Sequence, residues 1–131
     1  MKHKIGNWEK AMKAIIFESP KKVNIKEIPS PIIKDDEVLI AVKSAGVCGT
    51  DVHIFDGDFI GTYPVIPGHE FSGDVIEIGK SIQNIKVGDR VAVDPGVFCR
   101  KCSFCHENKE NFCENFKAYG IHLNGGFSQY T

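Results

Sequence analysis

The sequence predicts a mainly β domain, built as a barrel or sandwich with one or two short helical turns. Short runs rich in Val and Ile recur along the chain and end at turn residues. The 13 Gly and 6 Pro leave little uninterrupted length for helices. The strongest apolar run, residues 37–45, is too short and too β-branched to prefer a helix.

Taken in order, residues 1–11 read as a leader with little pattern, and Met12 opens a strand through Glu18. Met12 is therefore a candidate native start, and the domain is expected to occupy residues 12–131. After the turn at Pro20, Val23-Asn24-Ile25-Lys26-Glu27 alternates apolar and polar as a half-buried strand does, and Pro29-Ser30-Pro31 breaks it. Glu37 to Ala45 reads as a central strand, followed by a helical turn around Thr50 to Phe55. Gly73 to Ile78 and Arg90 to Val93 read as further strands, with turns at Gly79 and Gly88-Asp89. A second helical turn is expected in the cysteine segment. Gly125 to Thr131 has the look of a strand just beginning, cut without a cap or polar tail, which suggests a truncated protein.

Whole-chain properties narrow the function. At 131 residues the chain is one domain's worth and can bury a core without disulfides. Sixteen basic and 17 acidic residues are interspersed, for a formal charge of −1, so no basic field exists to hold nucleic acid. The N-terminus lacks the apolar core of a signal peptide, and no stretch is long enough to span a bilayer. A cytoplasmic protein is expected, in which the five cysteines stay reduced and metal ligation is favoured over disulfides. No Gly-x-Gly-x-x-Gly turn or Walker-type loop is present to cradle a nucleotide phosphate.

The cysteines divide unequally. Cys99, Cys102, Cys105 and Cys113 are spaced so that one loop can wrap four thiolates round a single ion, closing a tetrahedral zinc site. Arg100 and Lys101 would offset part of the thiolate charge. An iron–sulfur reading fits less well, because the last gap is seven residues and Glu114, not Pro, follows. Cys48 stands apart, upstream of Gly68-His69-Glu70. One thiolate, one imidazole and one carboxylate leave a metal short of saturated protein ligation, as Lewis-acid catalysis requires. His106 lies inside the cysteine loop but is not needed there, the charged Glu107, Lys109 and Glu110 are expected to face solvent or a neighbouring subunit, and His3 and His122 have no assigned role.

Several motifs in order, Cys48-Gly49-Thr50-Asp51-x-His53, Gly68-His69-Glu70-x-x-Gly73, Val87-Gly88-Asp89-Arg90-Val91, the four-cysteine segment and Gly125-Gly126-Phe127, make the chain from about Met12 to Thr131 resemble the zinc-containing medium-chain alcohol dehydrogenases. Its Cys-Gly-Thr-Asp-x-His-Ile and Gly-His-Glu-Phe-Ser-Gly segments are most similar to polyol (sorbitol) and threonine dehydrogenases. The resemblance implies a GroES-like β-barrel catalytic domain with a four-cysteine zinc lobe, here without the Rossmann domain that binds NAD or NADP in complete members. It implies that Cys48 and His69 ligate a catalytic zinc, with Glu70 as a direct or exchanging ligand and a further ligand from beyond Thr131. Asp51 would accept a hydrogen bond from the other nitrogen of His69, and Thr50 would pass the substrate proton through the cofactor ribose to His53. Phe55 and Phe59 are candidates for the substrate side, though such residues are more often core. The implied reaction oxidises a secondary alcohol or polyol to a ketone, in a protein expected to be a homo-oligomer when complete and inactive as this fragment. The competing expectation is a stand-alone zinc-binding module that docks other proteins.

Overall fold

The computed structural model describes residues 11–131. The leader otherwise falls outside the described residues, as does His3. Strand β1, Ala11–Ser19, opens one residue before Met12 and pairs antiparallel with β2, Lys22–Pro29. Strand β3, Val38–Gly46, pairs with β4, Glu70–Ile78, which in turn pairs with β5, Arg90–Ala92.

These two sheets are joined by the chain's last residues. Ile15 donates its N–H to the Phe127 carbonyl at 2.8 Å and Gln129 donates to the Lys13 carbonyl at 3.2 Å. On the opposite side Ile40 and Thr131 exchange N–H···O bonds at 2.8 and 3.1 Å, and Val42 donates to Gln129 at 3.0 Å. Residues 127–131 therefore lie between β1 and β3 as the expected strand does. They make β3 a central strand, flanked by that segment and by β4.

The core follows from alternation along these strands. Met12 and Ala14 of β1 pack with Ile66, supported by Ile16, Ile28 and Phe127. Phe17 packs with Ile54 and Val65, supported by Phe55, Tyr63 and Ile121. Leu39, Ile54 and Val75 are fully buried, each worth roughly 2 kcal/mol in removed apolar surface. Strand β2 differs from its expected half-buried state. Its Ile25 is 74% exposed and Val23 is 46% exposed, because β2 is the outer member of a two-stranded ribbon and meets only β1 in its sheet.

The helical content is small, as expected. Helix α1 covers Gly49–Asp56 and stops at Gly57, whose φ of 84° gives a left-handed cap. Ile54 anchors it in the core, and the Tyr63 hydroxyl donates to the Ile54 carbonyl. The cysteine segment holds α2, Ser103–His106, and a 3-10 turn at Glu110–Phe112. Strands β6, Gly96–Val97, and β7, Lys117–Ala118, pair across its base and close it as a lobe.

Candidate metal centres

Two groups of ligand-bearing side chains emerge among the described residues. In the lobe, the sulfurs of Cys99, Cys102, Cys105 and Cys113 all lie within 4.8 Å of one another. A tetrahedral zinc with Zn–S bonds of about 2.3 Å places sulfurs about 3.8 Å apart. The four thiols are thus gathered almost to the size of that ion's shell.

Backbone amides turned toward the sulfurs support the same reading. The Lys101 N–H, with the Cys102 N–H, holds the Cys99 thiol down to about 6. Amides of Cys105 and Glu114 lower Cys102, while burial among neighbouring thiols pushes Cys105 up to about 12. Cys99 also donates its own N–H to Cys113 Sγ at 3.3 Å. Arg100, at a left-handed φ of 55°, turns the chain between the first two cysteines, and its N–H points at Cys105. The offset expected from the Arg100 and Lys101 side chains is thus accompanied by their amides, while the side chains themselves are exposed. His106 is exposed, and Lys109 pairs with Glu107 at 2.8 Å on the lobe's surface.

The second group is assembled by sheet register. The last pair between β3 and β4 is Gly46 with Glu70. Cys48 follows Gly46 by two residues and His69 precedes Glu70 by one, so both arrive at the same end of the sheet. Ligand atoms of Cys48, His69 and Glu70 lie within 4.8 Å of one another. The Glu70 carboxylate lies over Gly46, where an added Cβ would stand 3.0 Å from Oε2.

Asp51 ties this group together. It sits at the third position of α1 and accepts the Cys48 N–H at 2.9 Å, which caps the helix and fixes the backbone that carries the thiol. Its other oxygen accepts the Gly68 N–H at 3.3 Å. That same oxygen stands 3.4 Å from His69 Nδ1. The approach is within ion-pair reach, yet Nδ1 is buried and makes no hydrogen bond, so its direction falls outside hydrogen-bonding geometry. The bond expected between Asp51 and His69 is a close approach here. Asp51 itself is 3% exposed, and its burial is offset by the amides it accepts.

The turn before His69 needs glycine. Gly68 has φ 89°, and a Cβ there would meet the Phe127 ring at 2.4 Å. Thr50 is half-buried in the first turn of α1, and His53 follows one turn later on the same face. His53 is exposed, with Nδ1 3.0 Å from Asp58 Oδ1, a partner that sequence reasoning missed. Phe55 packs edge-on to Phe17 at 5.6 Å and belongs to the core. Phe59 is 45% exposed.

Residues 34–131, which hold both groups and strands β3 to β7, match the alcohol dehydrogenase GroES-like domain. The chain belongs to that family. Among curated relatives, it is 47% identical over 120 residues to D-arabinitol dehydrogenase 1 of Uromyces fabae, covering 92% of this chain and 34% of that protein. It is 40% identical over 124 residues to sorbitol dehydrogenase of Bacillus subtilis strain 168, covering 91% of this chain and 35% of that one. A solved structure assigned as a zinc-binding dehydrogenase of Sinorhizobium meliloti 1021, bound to NADP, superposes with a TM-score of 0.90 at 38% identity, over 94% of this chain and 36% of that one. The chain thus spans about a third of the length of the relatives it matches.

Proposed function

We propose that this domain is the catalytic part of a zinc-dependent, NAD(P)-linked polyol dehydrogenase that oxidises a secondary alcohol to a ketone. The observation that carries the proposal is the convergence of Cys48, His69 and Glu70 at one end of the β3–β4 pair, separate from a lobe that already gathers four thiols. The names of the arabinitol and sorbitol enzymes support a polyol substrate, and the NADP-bound relative supports a nicotinamide cofactor.

In this reading Cys99, Cys102, Cys105 and Cys113 hold a structural zinc, and Cys48 and His69 hold a second one with Glu70 as a direct or exchanging ligand. Bound there, zinc would polarise an alcohol hydroxyl and lower its pKa toward neutrality. The Nδ1 side of His69 faces Asp51, which leaves Nε2 as the ligating atom and makes the Asp51 carboxylate a support for the imidazole's orientation and basicity. Thr50 and His53, on one face of α1, provide a hydroxyl near the site and a solvent-exposed imidazole as the outer end of a proton path. Nicotinamide binding requires the rest of the longer protein, and turnover is expected only there. No helix of the described residues is long and apolar enough to cross a membrane. A cytoplasmic homo-oligomer completes the proposal.

The test uses the complete protein with a panel of polyols and NAD or NADP. Cys48→Ser is expected to abolish turnover, and Cys102→Ser to lower thermal stability first. Full turnover in the Cys48→Ser variant refutes the reading.

A further inference from the structure

We infer that a strap formed by Gly120 and residues 124–127 positions His69, and so sets how tightly the Cys48–His69–Glu70 group holds a metal. The inference rests on the metal reading of that group and adds residues that touch no ligand.

The segment Ile66-Pro67-Gly68, which carries His69 at its end, lies in no named strand or helix. Its polar groups are taken up by the strap almost one for one. Ile66 donates its N–H to Asn124 Oδ1 at 3.1 Å and accepts the Gly125 N–H at 2.8 Å. The Pro67 carbonyl accepts from Phe127 at 3.0 Å, and the Gly68 carbonyl accepts from Gly126 at 2.8 Å. On the other side the Gly68 N–H is held by Asp51. The turn is therefore clamped between α1 and the strap.

Steric contact closes the clamp. A Cβ added to Gly125 would stand 2.2 Å from the Gly68 carbonyl oxygen, and one added to Gly120 would stand 2.5 Å from the Gly68 carbonyl carbon. Both neighbours are backbone and cannot swing aside, so either addition must shift the strap and the turn that aims the imidazole relative to one another. Gly125-Gly126-Phe127 is thus a device for bringing one backbone against another. Asn124 is a positioning residue. Its side chain is exposed overall, so its replacement leaves the core intact.

The experiment loads the full chain with cobalt(II) and titrates it against a chelator. A four-thiolate cobalt site and a one-thiolate site differ in charge-transfer intensity, so the lobe serves as an internal control. Gly125→Ala is expected to weaken the Cys48–His69–Glu70 site by about tenfold or more, in the range seen when groups that orient metal ligands are altered. Asn124→Ala is expected to weaken it several-fold and Asn124→Asp, which keeps the acceptor oxygen, to restore it, with the lobe signal unchanged in all three. Two cobalt ions bound with equal affinity in wild type, Asn124→Ala and Gly125→Ala overturn the strap alone. Loss of lobe and cluster signals together in Asn124→Ala also overturns it, because the residue is then merely structural. A wild type that binds cobalt only in the lobe overturns the metal reading and the strap with it.

Discussion

The lobe and the Cys48–His69–Glu70 group both gather metal-binding atoms to within 4.8 Å, yet they are built in opposite ways. The lobe takes all its ligands from residues 99–113, and β6 and β7 pinch it at its base. Its geometry is local, and its backbone amides point at its own sulfurs. The other group draws on the end of β3, the start of β4, the first turn of α1 and the 124–127 strap. Apart from the Asp51 cap on Cys48, its supports are long-range. A local site is expected to depend on its ion for order, whereas a site built by the fold is expected to persist without one.

The largest predicted effect separates the two. Removing one lobe thiol, as in Cys105→Ser, or stripping zinc with a chelator, is expected to cost more than about 3 kcal/mol, because metal binding is folding free energy in such loops. Thermal unfolding with and without chelator measures it. An unchanged melting curve would mean that the lobe folds without metal. Next in size, Asp51→Ala leaves the Cys48 and Gly68 amides without their acceptor and is expected to cost about 2–4 kcal/mol, together with loss of metal from the second group. Denaturant unfolding and metal analysis of one preparation check both. Cys48→Ser is expected to change stability by less than about 1 kcal/mol while removing the second metal. Comparable destabilisation in Cys48→Ser and Cys105→Ser would erase the contrast.

The smallest effect lies outside both sites. Lys22, then Lys26, hold the Glu18 carboxyl down from 4.5 to about 2. A depressed folded pKa means that this contribution is present above the ordinary carboxylate value and is lost as pH falls through about 2. The melting-temperature difference between wild type and Glu18→Gln is therefore small at neutral pH and shrinks as pH falls from 4.5 toward 2. A difference that grows on acidification contradicts the assignment.

The same contrast explains what could be read from the chain. Cysteine spacing announces the lobe because its ligands are neighbours in sequence. The strands from Met12, from Glu37 and from Arg90 were legible through alternation and β-branching. The exposure of Ile25 was not, because alternation marks a face without saying whether anything covers it. Strand β4 begins at Glu70 rather than Gly73, since its first pairs are made with Ala45 and Gly46, and pairing across more than 20 residues leaves no local mark. The resemblance singled out Cys48, His69, Glu70 and Asp51 individually. Their assembly by register, the work of Asn124 and Gly125, and the Asp58 partner of His53 depend on contacts that a single sequence does not display. The pair Gly125-Gly126 was the available hint, since adjacent glycines mark close backbone approach.

The central claim is that one chain carries two separable metal sites, one local and one built by the fold. Zinc titration of the full chain by equilibrium dialysis, in wild type and in His69→Ala, tests it most directly. Two equivalents in wild type, of which His69→Ala loses one while keeping the lobe's, is the predicted result. A single equivalent that His69→Ala leaves untouched contradicts the claim and favours a zinc module whose only metal is structural.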